Sequence, residues 1–136
     1  MARLRPTRTS KRRGSVALET LFVLPILLAV LWGLVEFALL LGAEQKLAEA
    51  SGVACRTGSL GHSDEAVKDA GKTVLGPKQY EKAKVHTKRW HDKHAGSMIE
   101  VTVDLPATAA SPSLLRLIGL DLSGQTLTGR SVMRIE

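Results

Sequence analysis

With 136 residues and a single cysteine, Cys55, the chain has room for one small domain beside any anchor and cannot build an intramolecular disulfide framework. Its formal net charge of +6 is carried by one end: Arg3, Arg5, Arg8, Lys11, Arg12 and Arg13 account for it, and the remaining 13 basic residues balance 13 acidic ones. A nucleic-acid reading needs a basic face on a folded domain, and this charge distribution removes its main support, so no nucleic acid is expected as a partner.

Residues 1–14 read as a basic leader rich in Arg, Thr and Ser, too polar to build a core and expected to lie disordered in the cytoplasm. From Ser15 the composition changes. An almost unbroken apolar run extends from Leu21 to Val35 and continues past Glu36 from Phe37 to Leu41. As a helix rising about 1.5 Å per residue, Ser15 to Gly42 covers roughly 40 Å against a hydrocarbon core of about 30 Å, so residues 15–43 are expected to span the lipid bilayer once. The basic side stays in the cytoplasm, which places residues 44–136 outside it as an extracytoplasmic α+β domain. A cleaved secretory signal peptide fits this pattern poorly. The apolar stretch exceeds the usual length of such a region, and the small-x-small site Ala48-Glu49-Ala50 lies beyond the charged Glu44-Gln45-Lys46.

Inside this stretch stand Glu19, Glu36 and Pro25. Glu36 falls about 32 Å beyond Ser15, near the far interface, where its side chain is expected to reach headgroups or water. Glu19 lies one turn into the helix, where an ionisable group is a functional hypothesis with a partner to be named. If the chain is cut after Gly14, the new α-amino group of Ser15, its own or a neighbouring copy's, is that partner; attraction to the helix N-terminus is the purely structural alternative. Pro25 removes a backbone hydrogen bond and is expected to kink or loosen the helix.

Gly14, the uncharged Ser15 to Leu18, and Glu19 resemble the cleavage site of class III, prepilin-type signal peptides. The continuation Glu19-Thr20-Leu21-Phe22-Val23-Leu24-Pro25 resembles the TadE-like family of minor pseudopilins, in which a glutamate is followed six residues later by a proline, and Glu36 with Phe37 resembles that family's second acidic-aromatic pair. Thr20 departs from the Phe or Tyr usual at this place in Flp-type substrates. The resemblance implies a pilin-like fold, a single-pass protein of the cell (inner) membrane, processing by a prepilin peptidase between Gly14 and Ser15, and a structural role in Flp (tight-adherence, type IVb) pilus biogenesis. The partners it implies are other pilus-assembly pseudopilins and inner-membrane platform proteins.

Beyond Gly42 the helix is expected to continue into water, with Leu40, Ala43, Leu47, Ala50 and Ala54 forming a narrow stripe of mostly small residues that wants a close partner, until Gly58, Ser59 and Gly61 break it. Ser63 is placed to cap a short second helix with Val67, Ala70 and Val74 on one face and Gly76-Pro77 as its stop. The period then becomes two: Lys84 to Trp90 and Met98 to Leu105 read as a β-hairpin around a turn at His91 to Ser97, with Ile99, Val101, Val103 and Leu105 on one face. Residues 107–113 read as a loop, 113–119 as a helical or 3₁₀ turn covering the core, and Gln125 to Ile135 as a third strand with Leu127, Met133 and Ile135 facing inward. The expected fold class is therefore α+β: a long N-terminal transmembrane helix extended into water, a short helix and a small antiparallel sheet.

Chemistry has few candidates. His86, His91 and His94 with Asp92 match no metal-ligand spacing and read as a solvated basic hairpin tip, and seryl elbows, phosphate loops and CxxC pairs are absent. Cys55 reads as a small side chain on a helix, with a bridge between two copies as the alternative. No cofactor, no metal and no enzymatic activity are expected. The competing reading is a signal-anchored binding protein using the tip from Lys88 to His94 to hold an acidic partner, with an uncut leader; a metal-dependent enzyme on the same anchor is a third.

Overall fold

The computed structural model describes residues 11–136; residues 1–10 of the leader lie outside the described residues, and its last four, expected to be disordered, are instead helical as the start of the first helix. The element order is α1 (Lys11–Ser59), α2 (Asp64–Val74), α3 (Pro77–Tyr80), β1 (Lys84–Asp92), β2 (Gly96–Pro106), α4 (Ala107–Ala110), a 3₁₀ segment η1 (Leu114–Ile118) and β3 (Thr126–Arg134). This is the expected α+β architecture.

Helix α1 meets two environments. From Val16 to Val35 its large apolar side chains stand between 37% and 71% exposed, with nothing of the chain covering most of them. Among the described residues it is the one helix long and apolar enough to cross a membrane. It runs through Pro25 without a break, although Pro25 has no N–H to give the Leu21 carbonyl. From Ala43 onward the same helix turns a buried stripe of Ala43, Leu47, Ala50 and Ala54 toward the rest of the chain, with Leu40 only partly covered at its start.

The three strands form one antiparallel sheet in the order β1-β2-β3, with Val85 opposite Val103, and Val101 opposite Ser131. Strand β2 lies in the middle, so its alternation is the cleanest: Ile99, Val101, Val103 and Leu105 are all fully buried and form one core with Leu47, Ala54, Val67 and Leu75. The small-residue stripe of α1 is covered by the sheet and by α2. Gly71 of α2 sits so close that a Cβ there would stand 3.2 Å from the Cβ of Ala54. Strand β3 comes closer still. A Cβ at Gly129 would stand 2.3 Å from the Leu47 carbonyl oxygen, so the backbone of α1 rests directly on the strand. Beside this crossing the Ser51 and Ser131 hydroxyls bond at 3.0 Å, and the last residue's amide, of Glu136, donates to the Ser59 carbonyl at 3.2 Å.

Ser63 caps α2 as expected, its hydroxyl accepting from the Ala66 amide at 3.4 Å. Three local readings change. The hairpin turn is tighter than residues 91–97, because Asp92 already pairs with Gly96 and the Asp92 carboxylate accepts from the amides of His94 and Ala95 at 2.8 and 3.0 Å, bonds that also hold this carboxyl below its ordinary value. Gly96 supplies the positive φ of 82° that closes the turn. Residues 107–110, expected as loop, form one helical turn, and another, residues 77–80, starts at Pro77 directly after the stop of α2. The third change concerns η1, which does not cover the core; it packs on the apolar part of α1.

The contact at Gly129 is with a carbonyl, which has no rotamer to escape into. Gly129→Ala is expected to destabilise the full chain in micelles by about 1–3 kcal/mol, read as a lower unfolding midpoint. Gly124→Ala, at a position with nothing within 4 Å, should leave the midpoint in place.

Candidate functional site

The acidic residues of α1's apolar half, Glu19 and Glu36, have opposite fates. Glu36 is fully buried, 0% exposed. Its carboxylate accepts a hydrogen bond from the Ser111 hydroxyl at 2.9 Å and a second from the Leu115 backbone amide. The expectation that Glu36 reaches headgroups or water is therefore corrected: its donors come from its own chain, more than seventy residues on. Burying a carboxylate without donors costs several kcal/mol, and two donors on its two oxygens are what makes this placement tolerable.

The donors are held by a sharply turned segment. Ser113 takes a left-handed conformation, φ 56° and ψ 47°, and its amide donates to the Ser111 hydroxyl at 3.4 Å, while Gly119 at the other end of η1 has φ 86°. This turn brings the Leu115 side chain against Gly33, where an added Cβ would stand 3.6 Å from it. The 111–115 segment thus latches onto α1 at Gly33 and Glu36. Phe37, one residue on and about 100° round the helix, points away and is 65% exposed. The Glu36 and Phe37 pair consequently splits, the acid turned inward and the ring outward.

Glu19 is exposed. It lines a shallow groove of 270 Å³ with Val16, Thr20, Val23, Leu24 and Leu27, and among the described residues none pairs with it. Thr20 adds no free polar group to this face, because its hydroxyl donates back to the Val16 carbonyl at 2.9 Å. Gly14 and Ser15 lie within α1, Ser15 one helical turn before Glu19.

The remaining candidates do not converge. His86 Nε2 lies 3.8 Å from Asp104 Oδ2 on the neighbouring strand, His91 Nδ1 lies 3.2 Å from the Ser97 hydroxyl, and His94 meets Asp92 through its backbone. Among the described residues no three His, Cys, Asp or Glu side chains gather as a metal site. The hairpin's Arg89 is engaged by Asp64 at 2.9 Å and the His62 carbonyl at 3.0 Å, which reduces the charge the tip can offer an acidic partner. Cys55 is wholly buried and its thiol lies 3.5 Å from the Ile99 carbonyl; burial pushes its pKa up and withholds it from a bridge between copies.

Sequence reasoning missed Ser111 and Leu115. The usable signal was chemical: an acid in an apolar helix demands donors, and Ser111-Pro112-Ser113 ahead of an apolar turn offers hydroxyls and free amides.

A family model described as TadE-like protein matches residues 14–56, about a third of the chain. That segment, which carries Gly14, Glu19, Pro25, Glu36 and Phe37, is similar to the TadE-like family. No curated protein and no solved structure matches the chain.

Glu36→Ala strands both donors, at about 1–3 kcal/mol for each buried group left unpaired. Amide hydrogen exchange in residues 111–119 is expected to rise sharply while β2 stays protected; unchanged exchange in that segment would show that the latch carries no weight.

Proposed function

We propose that this TadE-like chain is a minor pseudopilin: a single-pass, membrane-anchored structural component of Flp (tight-adherence) pilus assembly that carries out no reaction of its own. The observation that carries the reading is the contrast between the two acids of α1. Glu36 is satisfied inside the chain, whereas Glu19 is presented on an open apolar face with no partner among the described residues.

A carboxylate at that depth needs hydrogen-bond donors or a positive group beside it, and Glu19 has no donor among the described residues. Cleavage by a prepilin peptidase after Gly14 supplies one, the α-amino group of Ser15, one turn from Glu19 in the same chain and reachable from a neighbouring one. Pairing in trans makes burial of both charges less costly than burial of either alone, and it links assembly to processing. The arginine-rich leader fixes the N-terminus in the cytoplasm before the cut, so the sheet domain lies outside the inner membrane. Other pseudopilins and the inner-membrane platform proteins are the partners this arrangement suits.

Gly14→Lys is expected to leave an uncut, membrane-held precursor, whereas the native chain begins at Ser15; mass spectrometry of the N-terminus decides it, and identical cleavage in the variant would place the site elsewhere. Glu19→Ala should insert normally yet recover several-fold less of the other pilus-assembly components on co-purification. Undiminished recovery removes the pairing role of that carboxylate.

A further inference from the structure

The latch at Glu36 sets the height at which η1 lies along α1, and that height is informative. Gly33, against which Leu115 packs, is about 26 Å along the helix from Val16, just inside the far edge of a hydrocarbon core of about 30 Å. Trp32 lies beside it, at the level where aromatic rings favour the membrane interface. Two residues beyond this contact Leu117 is 72% exposed, and Leu120 follows at 57%. Leu117 and Leu120, three residues apart, expose apolar side chains beside an element already held on the span. Arg116, exposed between Leu115 and Leu117, has the long stem that lets an apolar neighbour sink while its charge stays at the headgroups. Asp121 and Ser123 then turn the chain back, the carboxylate accepting from the Ser123 amide at 2.9 Å.

We infer that η1 is a second membrane contact: Leu117 and Leu120 insert into the boundary between headgroups and acyl chains of the outer leaflet, and fix the domain against the bilayer. The inference rests on the anchoring of α1 but not on the pilus reading. The occupant is lipid rather than a partner protein because the leucines follow within five residues of Leu115, which is itself held on the apolar part of α1 at Gly33 and Glu36. Two points of attachment, the helix and η1, hold the sheet domain in one orientation on the membrane instead of letting it swing about α1.

The test uses the full chain in phosphatidylcholine vesicles, with a polarity-sensitive fluorophore on Leu117→Cys, Leu27→Cys or Lys93→Cys. Buried Cys55 is left in place, and the unsubstituted chain reports its background labelling. The Leu117 probe is expected to emit to the blue of the Lys93 probe, to lose most of its fluorescence to lipids bearing a nitroxide near the top of the acyl chain, and to resist aqueous iodide. Leu27 should be quenched best by a nitroxide deep in the chain. If the Leu117 probe behaves like that at Lys93 while Leu27 is quenched from within, the anchor stands and the η1 contact is wrong. Shielding of Leu117 from iodide and lipid nitroxides alike means that protein covers it, which also overturns the inference. Failure of lipid quenching at Leu27 removes the span and this contact together.

Discussion

A carboxylate set in an apolar helix must find donors, and where it finds them decides how the rest of this molecule is arranged. Glu36 stands at the end of the stretch of α1 that nothing in the chain covers. By taking the Ser111 hydroxyl and the Leu115 amide it draws the 111–115 segment down onto α1, about ten residues ahead of the Leu47 crossing where the sheet rests on the same helix. The domain is thereby gripped at two heights. At the upper one backbone lies on backbone, made possible by Gly129; at the lower one a buried acid takes hydrogen bonds. Neither grip substitutes for the other, because the first depends on the absence of a side chain and the second on its presence.

The same argument separates Glu19 from Glu36 without any appeal to family. Both acids sit on one continuous helix, Glu19 after Leu18 and Glu36 after Val35, yet the chain folds donors onto one and leaves the other open. A charged group that folding does not satisfy is satisfied by something that arrives later, or it is not tolerated in lipid. The family match over residues 14–56 covers both acids but ends before the donors of Glu36, so the latch joins the matched segment to the part of the chain beyond it.

Much of the fold was legible because it obeys a period. The helix through Ala54, the capped helix after Ser63 and the β2 alternation from Ile99 to Leu105 follow from spacing and burial alone, and each is present. What could not be read depends on partners distant in sequence. Glu36 and Ser111 are 75 residues apart, and no local pattern announces that a serine after a proline-flanked turn will bond a glutamate in the anchor. Gly129 inside a strand suggests close approach of something, but not that it is the Leu47 carbonyl. Residues 107–110 form a helical turn in which three of the four residues are alanine, a strong helix former in a stretch too short to show a period, and residues 114–118 were recognisable as a turn while their destination was not. The two acids differ in the same way: the spacing of Glu19 from Gly14 is local and can be read as a hypothesis from the sequence, whereas the hydrogen bonds of Glu36 depend on residues far along the chain.

The latch also determines which side of α1 remains for others. Glu19 and Phe37 lie about five whole turns apart on a helix of 3.6 residues per turn, so the two share a face, whereas Glu36 and Gly33 lie to one side of it under the 111–115 segment. Phe37, 65% exposed, and Glu19 therefore bound an open strip that passes Ile26 and Val30, both more than half exposed. A neighbouring helix approaching from the latched side is met by η1 before it reaches the apolar stretch. One approaching along the open strip encounters an aromatic ring at the outer end and an acid at the inner end, with only apolar side chains between. Such a strip constrains register strongly, because an apolar seam alone slides at little cost, while a single charge at one end is satisfied at one position of the partner and left bare at every other.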